Sequence, residues 1–247
     1  MNVICHHADT SEREAMWIAE QIQALHGEGT SYREITVLYR AHYITRIVEE
    51  VFLREKIPYA IYSGVQFFNR MEIKDALAYL RLIAYKDDLA FLRVVNVPKR
   101  NLGERRIKFL QEYAVKHQCS LYISLETNLD NEIFKGTKAA QFVALIENFA
   151  ANYAERQISE LLAAILNESG YEKMLRTEGS QERLDNLAEL KQSVYEYETS
   201  CGEESTLEHY LSHIALFTNS DAADNSDKVK LMTVHCLLYT SDAADDM

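Results

Sequence analysis

GVQFFNRMEIKDALAYLR, running from Gly64 to Arg81, decides how the chain is organised. A loop entered at glycine carries two adjacent phenylalanines and passes directly into an amphipathic helix, in which Ile73, Ala76, Leu77, Leu80 and Ile83 fall on one stripe at helical spacing. Before it, strand-like and helical segments alternate. After it, every convincing pattern for well over a hundred residues is helical. The stretch therefore reads as a joint between an α/β lobe and an inserted helical lobe.

Upstream, Asn2–His6 (NVICH) is a short apolar run suited to a buried strand. Asp9-Thr10-Ser11 offers N-cap oxygens to a helix from about Glu12, whose Ala15, Ile18, Ala19, Ile22 and Leu25 recur at i, i+3, i+4. Ile35–Tyr39 (ITVLY) is a continuous β-branched and apolar run, the pattern of a central parallel strand covered on both faces. A helix follows over Ile44–Phe52, and Pro58 opens another strand, PYAIY, closed by Gly64. Strand, helix and strand with short links imply βαβ units and a mostly parallel sheet, right-handed at each crossover.

Downstream, helices are expected over Glu72–Ile83, Leu89–Val95, from Ile107, and at about 138–153, 157–169, 182–198 and 206–217, the last opened by the capping box Ser205-Thr206-Leu207-Glu208. Residues 220–227 (SDAADNSD) read as a linker, and Val229–Val234 (VKLMTV) is again strand-like, as though the chain returns to the first lobe. Residues 236–247 continue no earlier pattern; the repeated pentapeptide SDAAD suggests a truncation or a foreign tail.

Composition narrows the class. Apolar residues make up 47% of 247, with 8 glycines and 2 prolines, which favours helix over a turn-rich β fold. No apolar run approaches the roughly 18–20 residues needed to cross a bilayer, so a cytoplasmic protein without a membrane partner is expected. Four cysteines stand far apart with no CxxC pair, which indicates neither a zinc site nor a disulfide framework. The net charge of −12 is unevenly spread: residues 1–125 hold 17 bases and 15 acids, whereas 126–227 hold 7 and 20. Arg93, Lys99, Arg100, Arg105, Arg106 and Lys108 stand against Glu104 alone, a local footprint that suits a phosphate backbone or, equally, a solvated helix face.

LYRAHYITRIVEE (38–50), IPYAIYSGVQFFNRMEIKDALAYLRLIA (57–84), VVNVPKRNLGERRIKFL (94–110) and VKLMTVH (229–235) together resemble, in order and spacing, successive signature blocks of the UvrD/PcrA/Rep family of superfamily 1 DNA helicases. The resemblance covers residues 1–235. It implies a fold of α/β plus all-α class: a partial RecA-like parallel βαβ lobe, called 2A, interrupted by a helical insertion domain, called 2B. Residues 1–86 would be the first part of 2A, 87–227 the 2B subdomain and 228–235 the return strand at the start of motif V.

The parent implied is an ATP-dependent 3′–5′ helicase of DNA repair or replication, using ATP and Mg²⁺ bound mostly outside this chain. Its implied partners are single-stranded DNA, the duplex junction and an N-terminal RecA-like lobe, and its implied setting is the bacterial cytoplasm and nucleoid. No GxxxxGK[ST] phosphate loop and no γ-phosphate arginine motif occurs, and Cys236-Leu237-Leu238-Tyr239 stands where motif V would continue, so the chain alone is expected to be inactive. No catalytic residue and no metal ligand is assigned. A non-catalytic helical protein-interaction module and the helicase part of a helicase–nuclease subunit are the competing readings.

The resemblance also assigns residues. Arg40 and Arg46 flank the turn after ITVLY, at the carboxyl end of a parallel strand where open sheets place ligands. They would line the DNA path and the subdomain interface, or would form intramolecular salt bridges to Glu49 or Glu50. The family's Asn-Ala-Gln between them is His42-Tyr43-Ile44 here. Lys99-Arg100-Asn101-Leu102-Gly103 resembles the family's Arg-Gly-Ile-Gly turn, which with Arg105 and Arg106 would hold a DNA phosphate on backbone N–H groups at a helix N-terminus. Asn101 replaces its first glycine and is among the residues that best tolerate positive φ. His235 would face single-stranded DNA or, equally, be a buried, hydrogen-bonded histidine. Gly64, Arg70, Glu72, Lys74 and Asp75 would set the angle between lobes, and Phe67 and Phe68 are expected to pack beneath this hinge rather than stack on bases.

Overall fold

The computed structural model describes residues 3–40, 44–62, 65–201, 205–218 and 227–234. They belong to two compact units, one formed by Met1–Arg70 with Leu216–Met247, the other by Met71–Ala215. Gly64, His235, most of the linker and the whole of 236–247 lie outside the described residues.

The first unit is a three-stranded parallel sheet with two helices. Helix α1 (Ser11–Gly27) starts where Thr10 accepts a hydrogen bond from the Arg13 N–H at 3.2 Å. Strand β1 (Thr36–Tyr39) leads through α2 (Thr45–Arg54) to β2 (Tyr59–Ile61), and β3 (Val229–Thr233) returns from the far end of the chain to lie between them, in the order β1-β3-β2. Val37 and Ile61 both register with Leu231. Ala15, Ala19 and Ile22 of α1 meet Val51 and Phe52 of α2 over Tyr59, Val229 and Leu231. Each large apolar side chain so buried contributes roughly 1.5–3 kcal/mol.

Two strand expectations are corrected here. The run at Val3–His6 forms no strand, and Val3 is 93% exposed, because apolar content makes a strand only where a sheet edge receives it. Nor is β1 the central strand covered on both faces: Leu38 faces solvent, and the buried central position goes to β3.

The second unit is all helical: α3 (Met71–Tyr85), α4 (Asp88–Val94), α5 (Glu104–His117), α6 (Leu121–Thr127), α7 (Ala139–Ala150), α8 (Ile158–Glu168), α9 (Tyr171–Thr177), α10 (Gln181–Cys201) and α11 (Leu207–Thr218). Helices α6 and α9, of seven residues each, are too short to leave a periodic signal and are additions to the expected set. Helix α3 packs against α4, α7, α8 and α10 and buries most of its length, including Tyr79, Leu80 and Leu82. For that reason the units divide after Arg70, at the change of period near Glu72, whereas the boundary at 86/87 is the one the family resemblance implies. An amphipathic stripe registers one buried face; a helix enclosed by four others buries nearly all of them.

Candidate nucleic-acid interface

The segment Val95–Gly103 links α4 to α5 as a tightly braced loop. Asn96 Oδ1 accepts from the backbone N–H groups of Arg100 at 2.8 Å and Leu102 at 3.1 Å, while Leu102 is buried. Asn101 sits between them with φ of 60°, the left-handed conformation expected for it. Gly103 is the N-cap of α5 and accepts from the Arg106 and Ile107 N–H groups. Having no side chain, it leaves the first-turn N–H groups of α5 without a cap.

The bases of this segment divide into two kinds. Arg100 is 6% exposed: its Nη1 donates to the carbonyl oxygens of Val94 at 2.8 Å and Pro98 at 3.2 Å, its Nη2 to the Tyr79 hydroxyl at 2.8 Å, and the guanidinium lies over the Phe142 ring. Tyr79 in turn donates to the Val97 carbonyl at 2.5 Å. Arg100 is thus the internal brace of the loop, not a group presented to a ligand as the sequence suggests. Lys99, Arg105 and Lys108 are exposed, with Arg106 half-buried and donating from Nε to the Ile133 carbonyl at 2.6 Å.

That last bond brings in residues the sequence does not point to. Ile133–Lys138 lies against the loop, tied by Arg106 and by the Lys138 N–H donating to the Arg100 carbonyl at 3.1 Å. Exposed Lys135 and Lys138 therefore join the basic surface, although they belong to the stretch whose net charge is strongly acidic. Lys135 is already paired to Glu132 at 3.4 Å, so Lys138 is the stronger addition. Only a contact between segments thirty residues apart reveals it.

In the sheet-bearing unit, Arg40 is exposed at the carboxyl end of β1. Arg46 is 2% exposed and donates from Nη1 to both carboxylate oxygens of Glu50 at 3.1 Å, the intramolecular alternative named above. Beside it, buried Glu49 accepts from the Thr45 hydroxyl at 2.6 Å, the Tyr59 hydroxyl at 3.4 Å and the Phe67 N–H at 3.1 Å. Burial drives the Glu49 carboxyl up to about 7, against the lowering effect of these bonds and of nearby Arg70. Arg70 itself is buried, donating to the Val65 carbonyl and the Thr45 hydroxyl at 3.3 Å and lying over the Phe67 ring.

The other hinge candidates are held inside the helical unit. Asn186 Nδ2 donates to buried Glu72 at 2.5 Å, tying α3 to α10. Asp75 accepts from the Tyr171 hydroxyl at 2.8 Å and pairs with Arg93 Nε at 2.7 Å; burial raises its carboxyl above the usual range despite both partners. Lys74 is half-buried, and Phe67 and Phe68 pack edge to face in the interior, their centroids 5.1 Å apart. Among the described residues no three His, Cys, Asp or Glu side chains are gathered as a metal would need, and no helix is long and apolar enough to cross a membrane.

Residues 1–236 match the family described as UvrD-like helicase C-terminal domain. The chain is 35% identical over 237 residues to the ATP-dependent DNA helicase PcrA of Staphylococcus epidermidis strain RP62A, covering 93% of this chain and 32% of that protein. It is 33% identical, over the same shares, to the PcrA of Staphylococcus aureus strain Mu50. The chain therefore spans about a third of the length of the curated relatives it matches.

Proposed function

From the premise that this chain belongs to the UvrD-like helicase C-terminal domain family, we propose that it is a segment of a bacterial, cytoplasmic ATP-dependent DNA helicase and supplies a non-specific grip on the DNA backbone. The sheet-bearing unit would form part of the 2A lobe and the helical unit would include 2B. Translocation in the 3′–5′ sense, ATP and Mg²⁺ belong to the parent. The chain alone would not hydrolyse ATP.

The observation that carries this reading is the convergence of two segments on one basic surface. Lys99, Arg105 and Lys108 come from the loop and α5, Lys138 from the segment bonded to them. Beside them, the first-turn N–H groups of α5 have no side-chain cap. Exposed ammonium and guanidinium groups with open N–H donors bind phosphate oxygens without reading bases. Arg100 supports the surface from inside. The 2A–2B joint would be confined to the few residues around 70/71, since Arg70 is anchored on one side and Glu72 and Asp75 on the other.

The test is the salt dependence of binding, by fluorescence anisotropy, to a duplex. Each phosphate contact removed should lessen the slope of log K against log salt by about 0.9 on B-form DNA. Replacing Lys99, Arg105, Lys108 and Lys138 together by alanine should therefore flatten it by roughly three to four. An unchanged slope, or no binding by the wild-type chain at low salt, defeats the reading.

A further inference from the structure

Helix α5 carries a second feature beside its bases. Phe109, Tyr113 and His117, each four residues on from the last, stack along one side of the helix: Phe109 and Tyr113 lie 6.5 Å apart at 28°, Tyr113 and His117 4.1 Å apart at 24°. The foot of this ladder is fixed, for Phe109 meets buried Phe134 edge to face at 5.8 Å, on the same segment that Arg106 holds. Exposure increases upward, from half-buried Phe109 and Tyr113 to exposed His117.

Two details distinguish the ladder from core packing. Tyr79, Tyr122 and Tyr171 in this unit anchor their hydroxyls on Val97, Glu147 and Asp75, whereas the Tyr113 hydroxyl has no hydrogen-bond partner among the described residues. And the stack stops at His117: among the described residues no further ring covers its outer side. Alongside, Arg105, Lys108 and Lys116 project from the adjoining stripe of α5, all exposed, over a rise of about 16 Å, with exposed Glu112 as the one acid between Lys108 and Lys116. A ring stack left open at one end beside three bases is the combination that holds a single strand, phosphates on the cations and a base on the ring.

We propose that α5 is a binding site for unpaired DNA next to a duplex, in which one nucleobase continues the ladder by stacking on His117 while Lys108 and Lys116 take the flanking phosphates. This deepens the phosphate-binding reading above and rests on it. The two fail separately: phosphate binding concerns any duplex, the ladder only the unpaired extension.

The test compares this chain's affinity for a blunt duplex, the same duplex with a tail of about ten nucleotides, and one with an abasic tail of equal length. The wild-type chain should prefer the tailed duplex about tenfold over both others. His117→Ala should abolish the preference and His117→Phe restore it, with blunt-duplex affinity and thermal midpoint unchanged in each. A gain retained in His117→Ala, or given equally by the abasic tail, overturns the inference, as does blunt-duplex binding with no gain from a tail. Failure to bind any of the three overturns the phosphate reading and this inference with it.

Discussion

Glu49 and Arg100 show how much of this molecule turns on single buried polar groups. Glu49 holds the Phe67 N–H and the Thr45 hydroxyl from the interior of the sheet-bearing unit, and its carboxyl titrates near 7 because burial disfavours the charge. Its folded-state value lies above that of the unfolded chain, so the folded form binds the extra proton. The stability this group contributes is therefore fully present below about pH 4.5 and lost as pH rises through 7. Wild type should lose about 2–3 kcal/mol relative to Glu49→Gln between pH 4.5 and 8. Urea unfolding across that range checks it, and parallel curves would refute it. Arg100 teaches a different point. Lys99 and Arg100 are indistinguishable in a charge count, yet one faces water and the other four carbonyls and a tyrosine. Sequence reveals that a basic cluster exists; which member lies inside depends on where Tyr79 and Ser169 arrive from elsewhere in the chain.

At the scale of elements, the loop before α5 is the most legible feature, because Asn101 in a glycine's place signals the left-handed turn that the structure contains. Asn101→Gly should leave stability unchanged or slightly raised, whereas Asn101→Val should cost roughly 1–2 kcal/mol, the penalty of a Cβ-branched residue in that conformation. Thermal melts of the two variants give the comparison, and equal midpoints would show that the turn does not depend on this geometry. The long helices α1, α5, α8 and α10 are legible from period alone. What sequence does not disclose is the partnership between elements: that Ile133–Lys138 lies against the loop, that Glu72 and Asp75 face α10 and α9, and that α3 is enclosed by four helices. These are tertiary placements, to which local periodicity is blind.

For the whole molecule, the return of the chain to its first unit is legible in VKLMTV, but its position in the sheet is not. Strands β1 and β2 each bond to β3, which stands between them: Lys230 N donates to the Ile35 carbonyl and Tyr62 N to the Leu231 carbonyl. A polypeptide ending at Ala215 should therefore keep the cooperative melt of the helical unit while the amides of 36–39 and 59–61 lose hydrogen-exchange protection. Protection persisting there would contradict the pairing. The same arrangement bears on how the protein is made. On the ribosome the two flanking strands emerge before the helical unit and their joining strand only after it. With translation at about 5–20 residues per second, the intervening helical unit takes on the order of ten seconds to synthesise. Throughout that interval two strand edges and the apolar faces of α1 and α2 remain uncovered, which makes the nascent first unit, rather than the helical one, the natural client for a chaperone.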